Sequence, residues 1–403
     1  MADMTISGVS LSGGFAITLP PTAPGAPTIG SATATGATTA TVTFTAPVNN
    51  GGATITSYTA TSSPSGITGT LNQAGSGTIT VAGLAASTSY TFTVTATNSV
   101  GTSSPSSASN SITTESGIPS RKAIFGYGQG AGTFSITNLV TNTGVVGNDV
   151  TGVGTARSEL AAAGYGGDKA IFAYGDAYSL SNLVSNTGVV ANNTAGVGTA
   201  RNLLAAAGYG TDKAIFGYGQ DSGYATVSMT NLVTNTGVVG NDVTGVGTAR
   251  MGLSAAGYGT DKAIFGYGRT GAPSNVSMTN LVTNTGVVGN DVTGVGTARQ
   301  GSAAAGYGTD KAIFGYGHPT SVTNLVTNTG VVGNDVTGVG TARRRLAAAG
   351  YGEDKAIFGY GIDNDVGYSM SITNLVTNTG VVGNDVTGVG TARYGLGAAS
   401  YGT

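Results

Sequence analysis

The chain lacks cysteine and tryptophan and holds a single histidine. Without cysteine, neither disulfides nor thiolate-bound metals are available. One histidine, His318 beside Pro319, leaves no His pair and no Ser/His/Asp or Cys/His set. Charge is scarce as well. Only 8% of residues are Asp, Glu, Lys or Arg, against about 25% in an ordinary globular chain. None lies between Met4 and Thr114. So few cations leave no electrostatic footprint for nucleic acid and no polybasic segment for an anionic membrane. No stretch approaches the roughly 20 apolar residues of a membrane span, so membrane insertion is not expected. The first 20 residues carry no basic region and no continuous apolar run, so no secretory signal is expected.

What is present is glycine, 70 of 403 residues, and 39% apolar residues in which β-branched types alternate. That combination reads as all-β rather than disordered. Residues 1–21 form a weakly alternating segment, too short to bury a core alone. Two readings stand for it: a frayed tail, or a tether that adds strands to a partner's sheet.

Residues 22–115 show period-2 runs at 39–47, 55–64, 77–84 and 90–98 between turn clusters such as NNGG at 49–52. That is the pattern of a small sandwich. The segments PTAPGAPTIG, FTAPVNNGGATITSYTATSSP and GLAASTSYTFTVTATNSVGTSSPS closely resemble a fibronectin type III domain. The resemblance implies a tyrosine corner at Leu84 and Tyr90, Phe44 in place of the usual core Trp, and a role as spacer or ligand-binding module, of which the charge-free surface favours spacer. Residues 116–121 are a linker.

From Lys122 the chain repeats. The 21 residues TNLVTNTGVVGNDVTGVGTAR recur letter for letter at 137–157, 230–250, 279–299, 323–343 and 373–393, with a drifted copy at 181–201. Each copy follows a KAIFGYG or KAIFAYG block and precedes a run such as LAAAGYG. Six units of about 47 residues point to a propeller. Side-chain bulk grows outward in a wedged blade, so LAAAGYG is expected innermost, KAIFGYG second, TNLVTN third and GVV outermost. The array opens on a second strand and ends on an innermost one. Residues 394–401 are therefore expected to pair with Lys122–Gly128 and close a six-bladed ring over 122–403. The order AR-x-x-L-A-A-A-x-Y-G-x-D-K-A-I-F-x-Y-G is similar to the kelch repeat, which implies the same blade topology.

Against this uniform background two places vary. One is the insert after KAIFGYG, carrying Asp176, Tyr178, Gln220, Asp221, Tyr224, Arg269, Asn275, His318, Asp363, Asn364, Asp365 and Tyr368. The other is the pair after TAR: Ser158-Glu159, Asn202-Leu203, Met251-Gly252, Gln300-Gly301, Arg344-Arg345 and Tyr394-Gly395. Strand alternation places both on one face and the constant GTDK and NTGV turns on the other. Variable loops on a fixed scaffold are how binding surfaces are built; drift in exposed loops is the bland alternative. Tyr178, Tyr224, Tyr368 and Tyr394 suit stacking on sugar rings, and Gln220, Asn275, Asn364 and Arg344 suit hydrogen bonding.

The repeated Arg157, Arg201, Arg250, Arg299, Arg343 and Arg393 would repel one another near a common axis. They are expected either to bridge blades through Asp or carbonyl groups, or to form an anion ring at the channel mouth. Nearly all Asp residues are repeat-equivalent, a scaffold signature, and a pair of differently placed carboxylates for acid–base work is missing. Asp363 and Asp365 do not complete a calcium loop, and no helix follows the Gly-rich stretches to hold a phosphate. A non-enzymatic protein without cofactor or metal is expected.

The whole resembles bacteriophage tail-fibre and other virion-surface adhesins. That resemblance implies a protein made in the host cytoplasm and placed on the particle surface, as a monomer or homo-oligomer. Its N-terminal peptide would meet other virion proteins, and its variable face a host surface glycan or protein. A structural head-fibre decoration without ligand, and a glycan-degrading propeller, are the other classes that fit.

Overall fold

The computed structural model describes residues 20–114, 121–271 and 274–402. Most of the N-terminal tether and of the 116–121 linker lies outside them. The chain divides into two compact units, Met1–Gly117 and Ile118–Thr403. Both are all-β, and no helix occurs among the described residues.

The described residues of the first unit hold seven strands: β1 (Thr28–Ala34), β2 (Thr39–Thr45), β3 (Ile55–Ser63), β4 (Thr68–Leu71), β5 (Gly77–Ala82), β6 (Ser89–Asn98) and β7 (Ile112–Thr113). They form two antiparallel sheets, β1-β2-β5 and β4-β3-β6-β7. Alternation drives this. In β6 every second residue from Tyr90 to Asn98 is buried, while the intervening Thr residues are partly exposed. The buried set from both sheets makes one core, in which the Phe44 and Tyr58 rings lie 4.2 Å apart. Leu84 and Tyr90 are buried together, and the Tyr90 hydroxyl accepts the Ala85 N–H at 3.0 Å.

Among the described residues the second unit contains six small sheets built alike and one two-stranded sheet, Arg201–Asn202 with Gln220–Asp221. In each of the six, a small-residue strand pairs antiparallel with a KAIF strand, which pairs with a strand ending in NLV. The first sheet joins Gly397–Tyr401, Lys122–Gln129 and Thr133–Val140. The next joins Ala161–Tyr165, Lys169–Ala173 and Ser181–Val184. The other four repeat this at Ala205–Tyr209, Ser254–Tyr258, Ala303–Tyr307 and Ala347–Tyr351 with the strands that follow each. The pairing of the last strand with the first is in register, Ala399 opposite Ile124.

The expected fourth strand is reduced. GVVGNDV meets the NLV strand only at single bridges, Val140 with Val146 and Thr137 with Val150. Between those bridges three residues oppose two, so an extra residue interrupts the ladder as in a bulge. The bulge has a use: it aims Asp149 back at Asn138, whose amide donates to it at 2.9 Å.

Cores lie between sheets rather than within one. Ala161, Ala163, Tyr165 and Ile171 of one sheet meet Ala214 and Phe216 of the next. Ile124, Tyr127, Ala399 and Tyr401 meet Ala162 and Phe172. Each KAIF strand is central and covered on both faces, which is why Ala, Ile and Phe run without alternation. Neighbouring inner strands approach closely at their glycines. A Cβ on Gly208 would stand 3.4 Å from the Gly164 carbonyl, and one on Gly257 3.3 Å from that of Gly208. Ser400 takes this place in the last copy, where its hydroxyl donates to the Gly350 carbonyl at 2.8 Å.

Candidate functional site

The frame of the site is the TAR junction between successive sheets. Arg250 is fully buried. Its Nε donates to the Tyr267 carbonyl at 3.0 Å, Nη1 to the Thr248 carbonyl at 3.1 Å and Nη2 to Asn280 Oδ1 at 2.6 Å. Its plane covers the Tyr218 ring at 4.4 Å. Asp291 accepts from the Thr248 hydroxyl at 2.6 Å and lies 3.7 Å from Arg250 Nη1. Tyr218 belongs to one sheet and Tyr267, Asn280 and Asp291 to the next, so the guanidinium ties them. The other five repeated arginines are equally buried and each stacks on the preceding tyrosine. The anion ring at a channel mouth is thereby corrected: side chains without exposure present nothing to a solute, and these six are inter-sheet bridges.

The stacked tyrosines of the GYG blocks sit in the left-handed region, with φ of 60 to 66°. That costs about 1–2 kcal/mol each, offset by ring contacts and by the bond from Tyr218 Oη to the Val246 carbonyl at 3.0 Å. Burial raises their pKa, to about 12 at Tyr174, Tyr267, Tyr316 and Tyr360.

The junction carboxylates Asp149, Asp242, Asp291, Asp335 and Asp385 have depressed pKa values. Burial alone would raise them. Bonds from Thr hydroxyl and N–H, from the Asn amide and the field of Arg outweigh it. A depressed carboxylate stabilises above its unfolded value, about 3.9, and loses that contribution as pH falls through the folded value. Thermal stability is therefore expected to hold from neutrality down to about pH 4 and to drop steeply below. The drifted copy supplies the control. Asn193 replaces Asp there and keeps the contact with its direction reversed, the amide donating to the Thr155 hydroxyl at 2.7 Å while Oδ1 accepts the Thr155 N–H at 3.1 Å. Asp242→Asn should keep most of the neutral-pH melting temperature and flatten the acid slope; an unchanged slope would remove these carboxylates from the account.

On top of this frame the two variable places meet. Tyr394 bridges Gln129, Met251 bridges Arg269, and Gln300 bridges His318. Asn202 pairs with Gln220 and Arg344 with Ile362. Ser158 donates through its N–H and hydroxyl to Asp176, at 2.7 and 2.9 Å. Six times, then, the residues after TAR lie against the insert of the following unit.

The candidates divide by exposure. Tyr224 and Tyr368 are 82% and 75% exposed and Tyr178 44%; His318 and Asp365 are exposed and Tyr394 half-buried. Ser158 and Met251, expected on the surface, are buried and support the loops from beneath. Asp221 accepts the Gly223 and Ala225 N–H groups, and Asp363 those of Asp365 and Val366, so both shape their own turns. Gln220 donates to the Tyr224 carbonyl, Asn275 to that of His318 and Asn364 to that of Gly317.

The second residues after TAR take a role that no sequence pattern marks. Glu159 N–H donates to the Gly395 carbonyl, Leu203 to Glu159, Gly252 to Leu203, Gly301 to Gly252, Arg345 to Gly301 and Gly395 to Arg345, at 2.6–2.9 Å. These six bonds form a closed cycle. All six residues have positive φ, 52 to 64°. Across Gly395, Glu159 forms an ion pair with Arg345 at 2.7 Å. Burial raises the Glu159 pKa, Arg345 opposes this and Asp176 adds to it. Asp176 of the neighbouring insert thus lies close enough to act on Glu159.

At the end of the sheets where the GTDK turns lie, a second cycle runs from Gly166 to Asp212, Gly210 to Asp261, Gly259 to Asp310, Gly308 to Asp354, Gly352 to Arg121 and Gly402 to Asp168. A cavity of about 520 Å³ opens here, lined by repeat-equivalent Gly, Tyr and Lys residues. Four of those lysines are paired with the preceding Asp at 2.6–3.5 Å. Its walls depart from the repeat at Arg121, Gly167, Glu353 and Ser400, far less than the other end does. No group of three or more His, Cys, Asp or Glu suited to a metal occurs among the described residues.

Residues 25–112 match the fibronectin type III domain family. The seven strands in two sheets and the buried Tyr90 are those of such a domain. No curated protein matches the chain. The fibronectin type III domain contains no ionisable acid or base between residues 25 and 112 other than tyrosine, so every charged candidate lies in the second unit.

Proposed function

We propose that the six sheets are the blades of a closed, kelch-like β-propeller. On this reading the protein is a non-enzymatic fibre or adhesin on the surface of a bacteriophage virion. Its variable face binds a host cell-surface glycan or protein, the fibronectin type III domain acts as a spacer, and residues 1–21 dock on other virion proteins. Closure is supported by the in-register pairing of Gly397–Tyr401 with Lys122–Gly126 and by the two hydrogen-bond cycles.

One observation carries the binding reading. The two places where the repeats diverge most are hydrogen-bonded to each other at successive junctions, while the turns at the opposite end hardly vary. Exposed Tyr224 and Tyr368 stand on that surface with ring faces free to stack on sugars. The double variant Tyr224→Ala/Tyr368→Ala is expected to weaken binding to host cells at least tenfold with an unchanged melting temperature. Equal binding by the variant and the parent, or no cell binding by either, favours a structural decoration instead.

A further inference from the structure

Seven of the ten arginines are accounted for by the repeat frame: the six of the TAR blocks and Arg121, which stands where the other copies have Asp. The remaining three, Arg269, Arg344 and Arg345, come from an insert and one post-TAR pair, and they converge. They and Gln300 wall a cavity of about 70 Å³ on the variable face, over the Gly252 and Gly301 backbone. The cavity exists because two adjacent members of the hydrogen-bond cycle have no side chain. With φ of +62 and +64°, both positions suit glycine.

We infer that this cavity binds an oxyanion, namely a carboxylate, sulfate or phosphate group carried by the ligand of the variable face. Three cations face one carboxylate. Glu159 holds Arg345 at 2.7 Å, and Arg344 Nη1 has the neutral Asn364 Oδ1 at 3.2 Å. Arg269 has less: Nη2 reaches the Met251 sulfur at 3.9 Å, a weak acceptor, and Nε is buried without a partner. In a chain this poor in charge, two guanidinium groups lack a carboxylate partner among the described residues. Guanidinium forks bind oxyanions in paired hydrogen bonds, and like charges held together favour an anion between them. The volume fits. A water occupies about 30 Å³ of liquid, so the space takes about two waters or one small oxyanion. Glu159 acts as an internal competitor, occupying Arg345 until a ligand oxyanion arrives. The site deepens the binding reading and rests on it for its biological meaning, but not for its chemistry.

Calorimetric titration of the full chain tests it, with glucuronate, glucose 1-phosphate, glucose and sodium sulfate as separate probes. Saturable binding of at least one anion, with none of glucose, is expected; the anion arms show which oxyanion it is. Arg269→Gln/Arg344→Gln should weaken that binding at least tenfold. Glu159→Gln should strengthen it several-fold by releasing Arg345, a gain that a purely structural ion pair would not produce. Higher sodium chloride should weaken binding to the parent. The inference is overturned by equal heats for glucose and the anions, by no saturable anion binding, or by variants that bind as the parent does. Cell binding that survives in Arg269→Gln/Arg344→Gln would leave the adhesin reading standing and remove only this site from recognition.

Discussion

Arg250→Ala is expected to lower the unfolding free energy by about 3–5 kcal/mol, the cost of breaking a buried charged network by removing one partner. The loss has three sources. Asn280 Oδ1 and the Tyr267 and Thr248 carbonyls lose their donors, the Tyr218 ring loses its cation, and a space opens between two sheets. Such a cost is a large fraction of the 5–15 kcal/mol that typically holds a fold together, roughly. Arg250→Lys should not rescue it, because one ammonium cannot reproduce a planar fork bonded on three sides. The series offers an internal ranking. Arg201 and Arg299 have Nε atoms without a partner, so their alanine variants should lose less than Arg250→Ala. Urea unfolding of the three variants measures this. Equal midpoints for parent and Arg250→Ala would mean that the junctions do not hold the sheets together.

Removing residues 394–403 should abolish cooperative folding of the second unit. The deletion takes away the partner of Lys122–Gly126 and uncovers Ile124 and Phe125, both fully buried. It also withdraws Leu396 and Ala398 from one core and Ala399 and Tyr401 from the next. Burial of Leu396 and Tyr401 alone is worth about 1.5–3 kcal/mol each. Both hydrogen-bond cycles break as well, at Gly395 and Gly402. The exposed edge of Lys122–Gly128 then invites pairing between chains. Size-exclusion chromatography should show aggregates or dimers, and calorimetry no sharp transition for this unit. Adding a 394–403 peptide should restore part of it. A truncated chain that stays monomeric with its original transition would refute closure through this strand.

Much of this was legible in the residues. Alternation in residues 39–98 led to four of the sandwich strands, although β1, β4 and β7 escaped notice, β4 and β7 because they are short and β1 because its exposed small residues break the alternation. The run AAAGY announced a crowded strand, and the observed glycine-to-carbonyl distances of 3.3–3.4 Å give the reason. Counting blocks placed the last strand beside the first. The GVV segment misled: two branched residues suggest a strand, but the added residue before Val150 breaks the ladder and turns Asp149 toward its neighbours.

The sequence by itself determined the periodic parts, because strand period, side-chain size and unit count are local or repeated properties. Tertiary structure alone decided the rest. Whether an arginine is an open cation or a buried bridge depends on a tyrosine, an asparagine and a threonine up to 32 residues away, from Tyr218 to Arg250, which no local pattern joins. The meeting of Glu159 with Arg345, and of Arg269 with Arg344, depends on which units the assembled sheets bring side by side. Charge pairing falls off over a few ångströms while chain separation spans scores of residues, so only the folded backbone selects the partners.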